Sequence, residues 1–152
     1  MADPPIHAYE TLTTRDGEQV EIDTEMVPVI RGLWRLGFTT IACCQDVGEA
    51  TAGVRAQSDK SLGYGADGFI AYHCGWALLK LPITDAMRLV ALLSQEPVFA
   101  ARVRHRWRPG SWRMNVPLVP DGLDEAALLH LPRQQLPELI ESLQQQRLWR
   151  RA

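Results

Sequence analysis

Ala77-Leu78-Leu79-Lys80-Leu81-Pro82 and Ala127-Leu128-Leu129-His130-Leu131-Pro132 lie 50 residues apart and differ at one position. The apolar stripe behind each also recurs, as Ala86, Leu89, Val90 and Leu93 and then as Leu136, Leu139, Ile140 and Leu143. Both stripes follow i, i+3, i+4, i+7 spacing, the signature of a helix with one buried face. Each unit therefore predicts a strand, a proline that stops it and an amphipathic helix. Two copies are too few for a solenoid, so one supersecondary unit is used twice.

Between the copies, Val103, His105 and Trp107 alternate with Arg102, Arg104, Arg106 and Arg108. Pro109-Gly110 supplies a turn signal, and Trp112, Met114, Val116 and Leu118 alternate beyond it. Period-two alternation predicts a hairpin with the arginines on one face. Upstream, Tyr9–Thr14 and Glu18–Ile22 flank the turn residues Arg15-Asp16-Gly17 and predict a second hairpin. Asp23 and Thr24 are candidate N-caps for a helix whose stripe is Met26, Val29, Ile30 and Leu33. Phe38–Cys44 and Phe69–His73 have strand character, and the polar stretch Gln45–Gly68 between them predicts a long mobile loop.

From Glu18 to Arg108 the order is strand, helix, strand, strand, helix, strand. That predicts an α+β fold with a ferredoxin-like βαββαβ core, an antiparallel sheet with helices on one face. An N-terminal strand and a C-terminal strand–helix unit extend it. The 152 residues suit a single domain, with residues 46–68 as its loop and 148–152 as a tail.

Composition narrows the class. The chain is 46% hydrophobic and 22% charged, which is globular and argues against disorder or a disulfide scaffold. No apolar run approaches the roughly 18 residues that span a bilayer, so no membrane partner is expected. Met1-Ala2-Asp3-Pro4-Pro5 lacks the basic and apolar regions of a signal peptide. Together with an odd set of thiols, Cys43, Cys44 and Cys74, this predicts a cytoplasmic protein with reduced cysteines. The formal charge of −2 is unevenly spread. Residues 1–100 carry 7 basic and 13 acidic side chains, whereas residues 101–152 carry 9 and 5.

Arg102, Arg104, Arg106, Arg108 and Arg113 are the strongest candidate site, a row of guanidinium groups able to neutralise phosphates or stack on bases. The competing reading is a solvated face, or one paired with Glu18, Glu21 and Asp23. Gly63-Tyr64-Gly65-Ala66-Asp67-Gly68 fits G-x-G-x-x-G, but its predicted context, a loop before a strand, is wrong for a dinucleotide site. Cys44 with Asp46 or His73 is a weaker catalytic candidate, since imidazole can lower a thiol pKa. A metal site is not expected: there is no C-x-x-C, and ligands would have to come from Cys43, Cys44, His73 and Cys74. No cofactor is implied. Trp149, in the tail Arg147-Leu148-Trp149-Arg150-Arg151, is a candidate contact for another chain.

One resemblance bears on this. Leu33-Trp34-Arg35-Leu36-Gly37-Phe38-Thr39-Thr40 followed by Cys44-Gln45 resembles a family of small proteins from GC-rich bacteria and their phages. These share a helix ending in Leu-Trp-x-x-Gly, a Thr-x-x-x-Cys-Gln segment and a later strand–Pro–helix unit. The likeness spans roughly Asp23 to Leu93, implies a phage-related setting and brings no activity with it.

The resulting expectation is a non-enzymatic binding protein whose arginine hairpin contacts nucleic acid or another polyanion. The alternative is a protein-interaction module, a homodimer built through the sheet edge or the tail. A small cysteine-dependent enzyme stands third.

Overall fold

The two copies of the repeat become neighbouring central strands, β4 (Trp76–Pro82) and β8 (Ala126–Pro132), paired antiparallel. Their register sets Leu79 opposite Leu129, the equivalent positions of the two copies. A local two-fold axis therefore passes through that pair. The hydrogen bonds at the two strand ends obey it: Ile83 N–H donates to Glu125 O at 2.9 Å, and Arg133 N–H donates to Gly75 O at 2.8 Å. In each copy the proline offers no N–H, so the next residue closes the ladder and the chain turns into a helix. These helices are α4 (Ile83–Leu93) and α6 (Leu136–Gln145), the latter after a 3-10 turn at Arg133–Gln135.

The structure is a computed structural model that describes residues 7–52, 68–104 and 108–147. Outside the central pair, β3 (Ala42–Cys44) joins β4 and β5 (Arg113–Asn115) joins β8, giving the antiparallel order β3-β4-β8-β5. Helices α1 (Val27–Arg35) and α5 (Pro97–Arg104) precede the two outer strands, and α1 packs on α6 as α5 packs on α4. The two halves are thus a helix–strand–strand–helix unit used twice. They differ in what is inserted between outer and inner strand. The first half holds α2 (Val47–Ala52) and α3 (Gly68–His73); the second holds the small hairpin of β6 (Leu118–Val119) and β7 (Gly122–Leu123). A separate hairpin, β1 (Tyr9–Thr13) and β2 (Gln19–Asp23), precedes everything.

The core follows from the alternation. Ala77, Leu79 and Leu81 of β4 and Ala127, Leu129 and Leu131 of β8 are buried on one face, together with Val29, Ile30 and Leu33 of α1, Leu89 and Leu93 of α4, and Leu139 and Leu143 of α6. Burying a Leu or Ile side chain is worth about 1.5–3 kcal/mol, so this face dominates the stability. A Cβ on Gly32 would lie 3.1 Å from Leu143 Cβ, so glycine there lets α1 and α6 approach closely.

The fold is α+β with antiparallel sheets, as the sequence predicts, but several elements are corrected. The final strand of the βαββαβ run is the helix α5. Pro97 suits the first turn of a helix, and Phe99 and Val103 lie four apart on its packed side, so helical spacing overrides the period-two pattern. The arginine hairpin is consequently not formed; β5 pairs with β8 instead, and residues 105–107 lie outside the described residues. Phe69–His73 is also helical, its Phe69 and His73 rings meeting at 4.2 Å across one turn. The strand expected over Phe38–Cys44 shortens to Ala42–Cys44. The predicted loop contains α2, and Gly68 opens α3 rather than a strand; Gly63 to Asp67 lie outside the described residues. The long helices share one face of the sheet, while α3 lies against the other, where His73 meets His130. Among the described residues, no helix is long and apolar enough to cross a membrane.

Candidate metal centre

The β1–β2 register, Tyr9 opposite Asp23, brings His7 at the start of the hairpin against the carboxylate at its end. His7 Nδ1 lies 3.1 Å from Asp23 Oδ2. The end of β3 adds Cys44, and the next residue ties the two segments together: Gln45 N–H donates to Asp23 Oδ2 at 2.9 Å, while Gln45 Oε1 accepts Glu25 N–H at 3.1 Å. His7, Asp23 and Cys44 each present one ligand atom, and all three atoms lie within 4.8 Å of one another. The Asp23 carboxylate is thus engaged by His7 and Gln45 and makes no side-chain cap to the following turn, contrary to the capping expectation.

A second layer stands behind His7. Asp46 opens α2, accepting Glu49 N–H at 3.0 Å with one oxygen and Gly75 N–H at 3.0 Å with the other. Gly48 permits this approach, because a Cβ there would lie 2.5 Å from the Cys74 backbone. So positioned, Glu49 places Oε2 2.9 Å from His7 Nε2. Its other oxygen pairs at 3.0 Å with Arg133, which also reaches Asp46 at 3.4 Å and forms an ion pair with Glu25. Four carboxylates, Asp23, Glu25, Asp46 and Glu49, therefore surround one guanidinium and one imidazole.

His7 is 8% exposed, and both its ring nitrogens face carboxylate oxygens. An ionised carboxylate only accepts, whereas a neutral imidazole carries a single N–H. The neutral ring can satisfy one of these contacts. The other requires a second proton or a cation between Nδ1 and Asp23. A cation held by His7, Asp23 and Cys44 would leave Nε2–H donating to Glu49, the carboxylate–histidine–metal arrangement that fixes tautomer and ring orientation. At ordinary zinc bond lengths, tetrahedral donors sit about 3.5 Å apart, so closure needs side-chain shifts of roughly 1 Å.

Burial favours the neutral thiol at both Cys43 and Cys44. Burial, then the nearby Asp23 and Cys44, push Cys43 up to about 12. Burial also pushes Cys44 up to about 12, against a lowering contribution from the Asp46 backbone N–H, with Asp23 and Asp46 raising it further. A thiolate at Cys44 therefore needs a cation beside it. Cross-strand register runs Cys44, Leu78, His130, Arg113, which sets His130 two strand spacings, or roughly 10 Å, from Cys44, and the His73 ring lies 5.0 Å from that of His130. Burial, then Arg113, lowers His73 to about 4; burial, then His73 and Arg113, lowers His130 to about 4. Asp46, the third member of the catalytic candidate set, instead caps α2. Cys74 is exposed at the turn before β4.

The candidate arginines make different contacts. Arg102 forms an ion pair with Glu138 and lies 5.3 Å over the Phe99 ring. Arg104 ends α5 and Arg108 lies in a turn, both exposed. Arg113 sits 3.6 Å from the Trp76 ring centre and 4.0 Å from that of Tyr72. Arg106 and Trp149 lie outside the described residues. Sequence reasoning missed His7, Asp23, Glu25, Glu49 and Arg133 as site members, since neither their spacing nor their neighbours form a motif. The one available signal was that Arg133 breaks the repeat where its counterpart is Ile83.

Comparison with known proteins finds no family model, no curated protein and no solved structure that matches the chain.

Proposed function

We propose that the protein binds one divalent transition-metal ion of the zinc class through His7, Asp23 and Cys44. The observation that carries this reading is the imidazole of His7 held between two carboxylates, with a thiol beside one of them. A mixed nitrogen, oxygen and sulfur set favours zinc over the hard cations magnesium and calcium, which take oxygen. The excess of carboxylates adds attraction for any cation. In the test, metal-stripped protein is titrated with Zn²⁺ by calorimetry and with Co²⁺ by absorption. One ion per chain and a thiolate-to-cobalt charge-transfer band are expected, and His7→Ala or Cys44→Ala should weaken binding at least about tenfold. A chain that takes no ion, or takes cobalt without that band, contradicts the reading.

A second reading has its own support. Met114, Leu118, Val119 and Leu123, at 43, 82, 42 and 63% exposure, crowd the segment around the edge strand β5. That pattern fits the interaction-module alternative, a homodimer formed through the sheet edge. Light scattering over a concentration series tests it, with a salt-insensitive dimer expected. Polyanion binding by the arginine row has less to support it, because Arg102 is already paired with Glu138 and Arg113 lies over the rings of Trp76 and Tyr72.

A further inference from the structure

The same centre has a feature that bears on what the ion would do. His7, Asp23 and Cys44 open onto a recess of about 270 Å³ whose walls include Tyr9, Glu21, Cys43 and Ala50. Liquid water occupies about 30 Å³ per molecule, so the recess has room for several waters or one small ligand. Structural zinc sites close their shell with four protein donors, whereas sites that act on ligands keep three and leave a position open. Among the described residues, this cluster offers three donors. Glu49 is engaged by His7 and Arg133.

The surrounding charge selects what can enter. A dication bound by the Asp23 carboxylate and a Cys44 thiolate is locally neutral. Beyond it lie Glu21 on the recess wall and Glu49 behind His7, while the charge of Arg133 is shared among Glu25, Asp46 and Glu49. Among the described residues the charge around the open position is therefore negative, which repels anions and tolerates neutral donors.

We infer that the bound ion keeps an exchangeable coordination position facing this recess, and that the position takes a neutral nitrogen donor, such as an imidazole or an amine, in preference to an anion. This rests on the metal reading above.

The test uses the full chain loaded with one equivalent of Co²⁺, titrated separately with imidazole and with azide while the visible spectrum is followed. The expected result is a saturable shift with imidazole at concentrations at least about tenfold below those at which azide acts, the thiolate band persisting throughout. Glu21→Gln should strengthen azide binding. A cobalt spectrum indifferent to both ligands means a closed shell and overturns the inference while the metal reading stands. Azide binding as tightly as imidazole overturns the ligand class. Imidazole stripping the cobalt away also counts against an open position. If no cobalt binds in the first place, both readings fall together.

Discussion

Ile83 and Arg133 occupy equivalent positions in the two copies of the repeat, and their backbones do the same thing. Each donates its N–H across the β4–β8 pair at 2.8–2.9 Å and turns the chain into a helix. Their side chains have opposite fates. Ile83 packs against the core, whereas Arg133 reaches three carboxylates and, through Glu49, the ring of His7. The symmetric part of the molecule is its scaffold. The proposed metal centre draws on what the copies do not share: the N-terminal hairpin, the side chain at one strand end and the insertion between strands.

Truncating the symmetric part should have the largest effect. Leu79→Ala and Leu129→Ala each remove a fully buried side chain at the local two-fold and should cost about 2–5 kcal/mol in urea unfolding, by similar amounts. Strongly unequal costs would break the equivalence of the halves.

Acid comes next, and of one pair of equivalent positions it should act on one member only. Lys80 and His130 are equivalent positions, but Lys80 lies at 3.9 Å from Asp124 while His130 is buried against His73 near Arg113. Both histidines have folded pKa values near 4, below the unfolded value of about 6.5, so the folded state binds fewer protons. Their contribution to stability is complete above pH 6.5 and is lost as pH falls toward 4, by up to about 1.4 kcal/mol per pH unit for each ring. His130→Gln should reduce that slope, measured as urea midpoints between pH 7.5 and 4.5. An unchanged slope would locate the acid sensitivity elsewhere.

Arg133→Ile makes the second copy resemble the first at the strand end. Circular dichroism should show the fold intact, with a loss of about 1–2 kcal/mol because Asp46 is buried while Glu25 and Glu49, the other partners of Arg133, are half exposed. A neutral or stabilising outcome would mean that the carboxylate ring needs no counter-charge. Smallest of all, Leu118→Asp on the hairpin inserted in the second half should change monomer stability by less than about 0.5 kcal/mol, and should abolish any dimer seen by light scattering.

The scaffold was legible because the repeat and its two helical stripes are local patterns that burial enforces. The N-terminal hairpin was legible from Arg15-Asp16-Gly17 for the same reason. Alternation misled at Arg102–Arg104, where Pro97 and the Phe99–Val103 spacing had already committed the chain to a helix. Phe69, Tyr72 and His73 around one β-branched Ile70 misled at α3, where ring contacts link residues a turn apart. The candidate site was legible only at Cys44 and Asp46. His7 and Asp23 are joined by a hairpin, Glu49 is brought in by a short helix inside a polar stretch, and Arg133 by the end of β8, nearly 90 residues after Cys44 in the chain. Such a constellation exists only after folding.

X-ray absorption at the zinc edge, on protein loaded with one equivalent of Zn²⁺, tests the central claim most directly. The account predicts one sulfur at about 2.3 Å with nitrogen and oxygen neighbours at about 2.0–2.1 Å, the sulfur lost in Cys44→Ala. A shell without sulfur, or zinc that washes out of the wild-type chain, would contradict it.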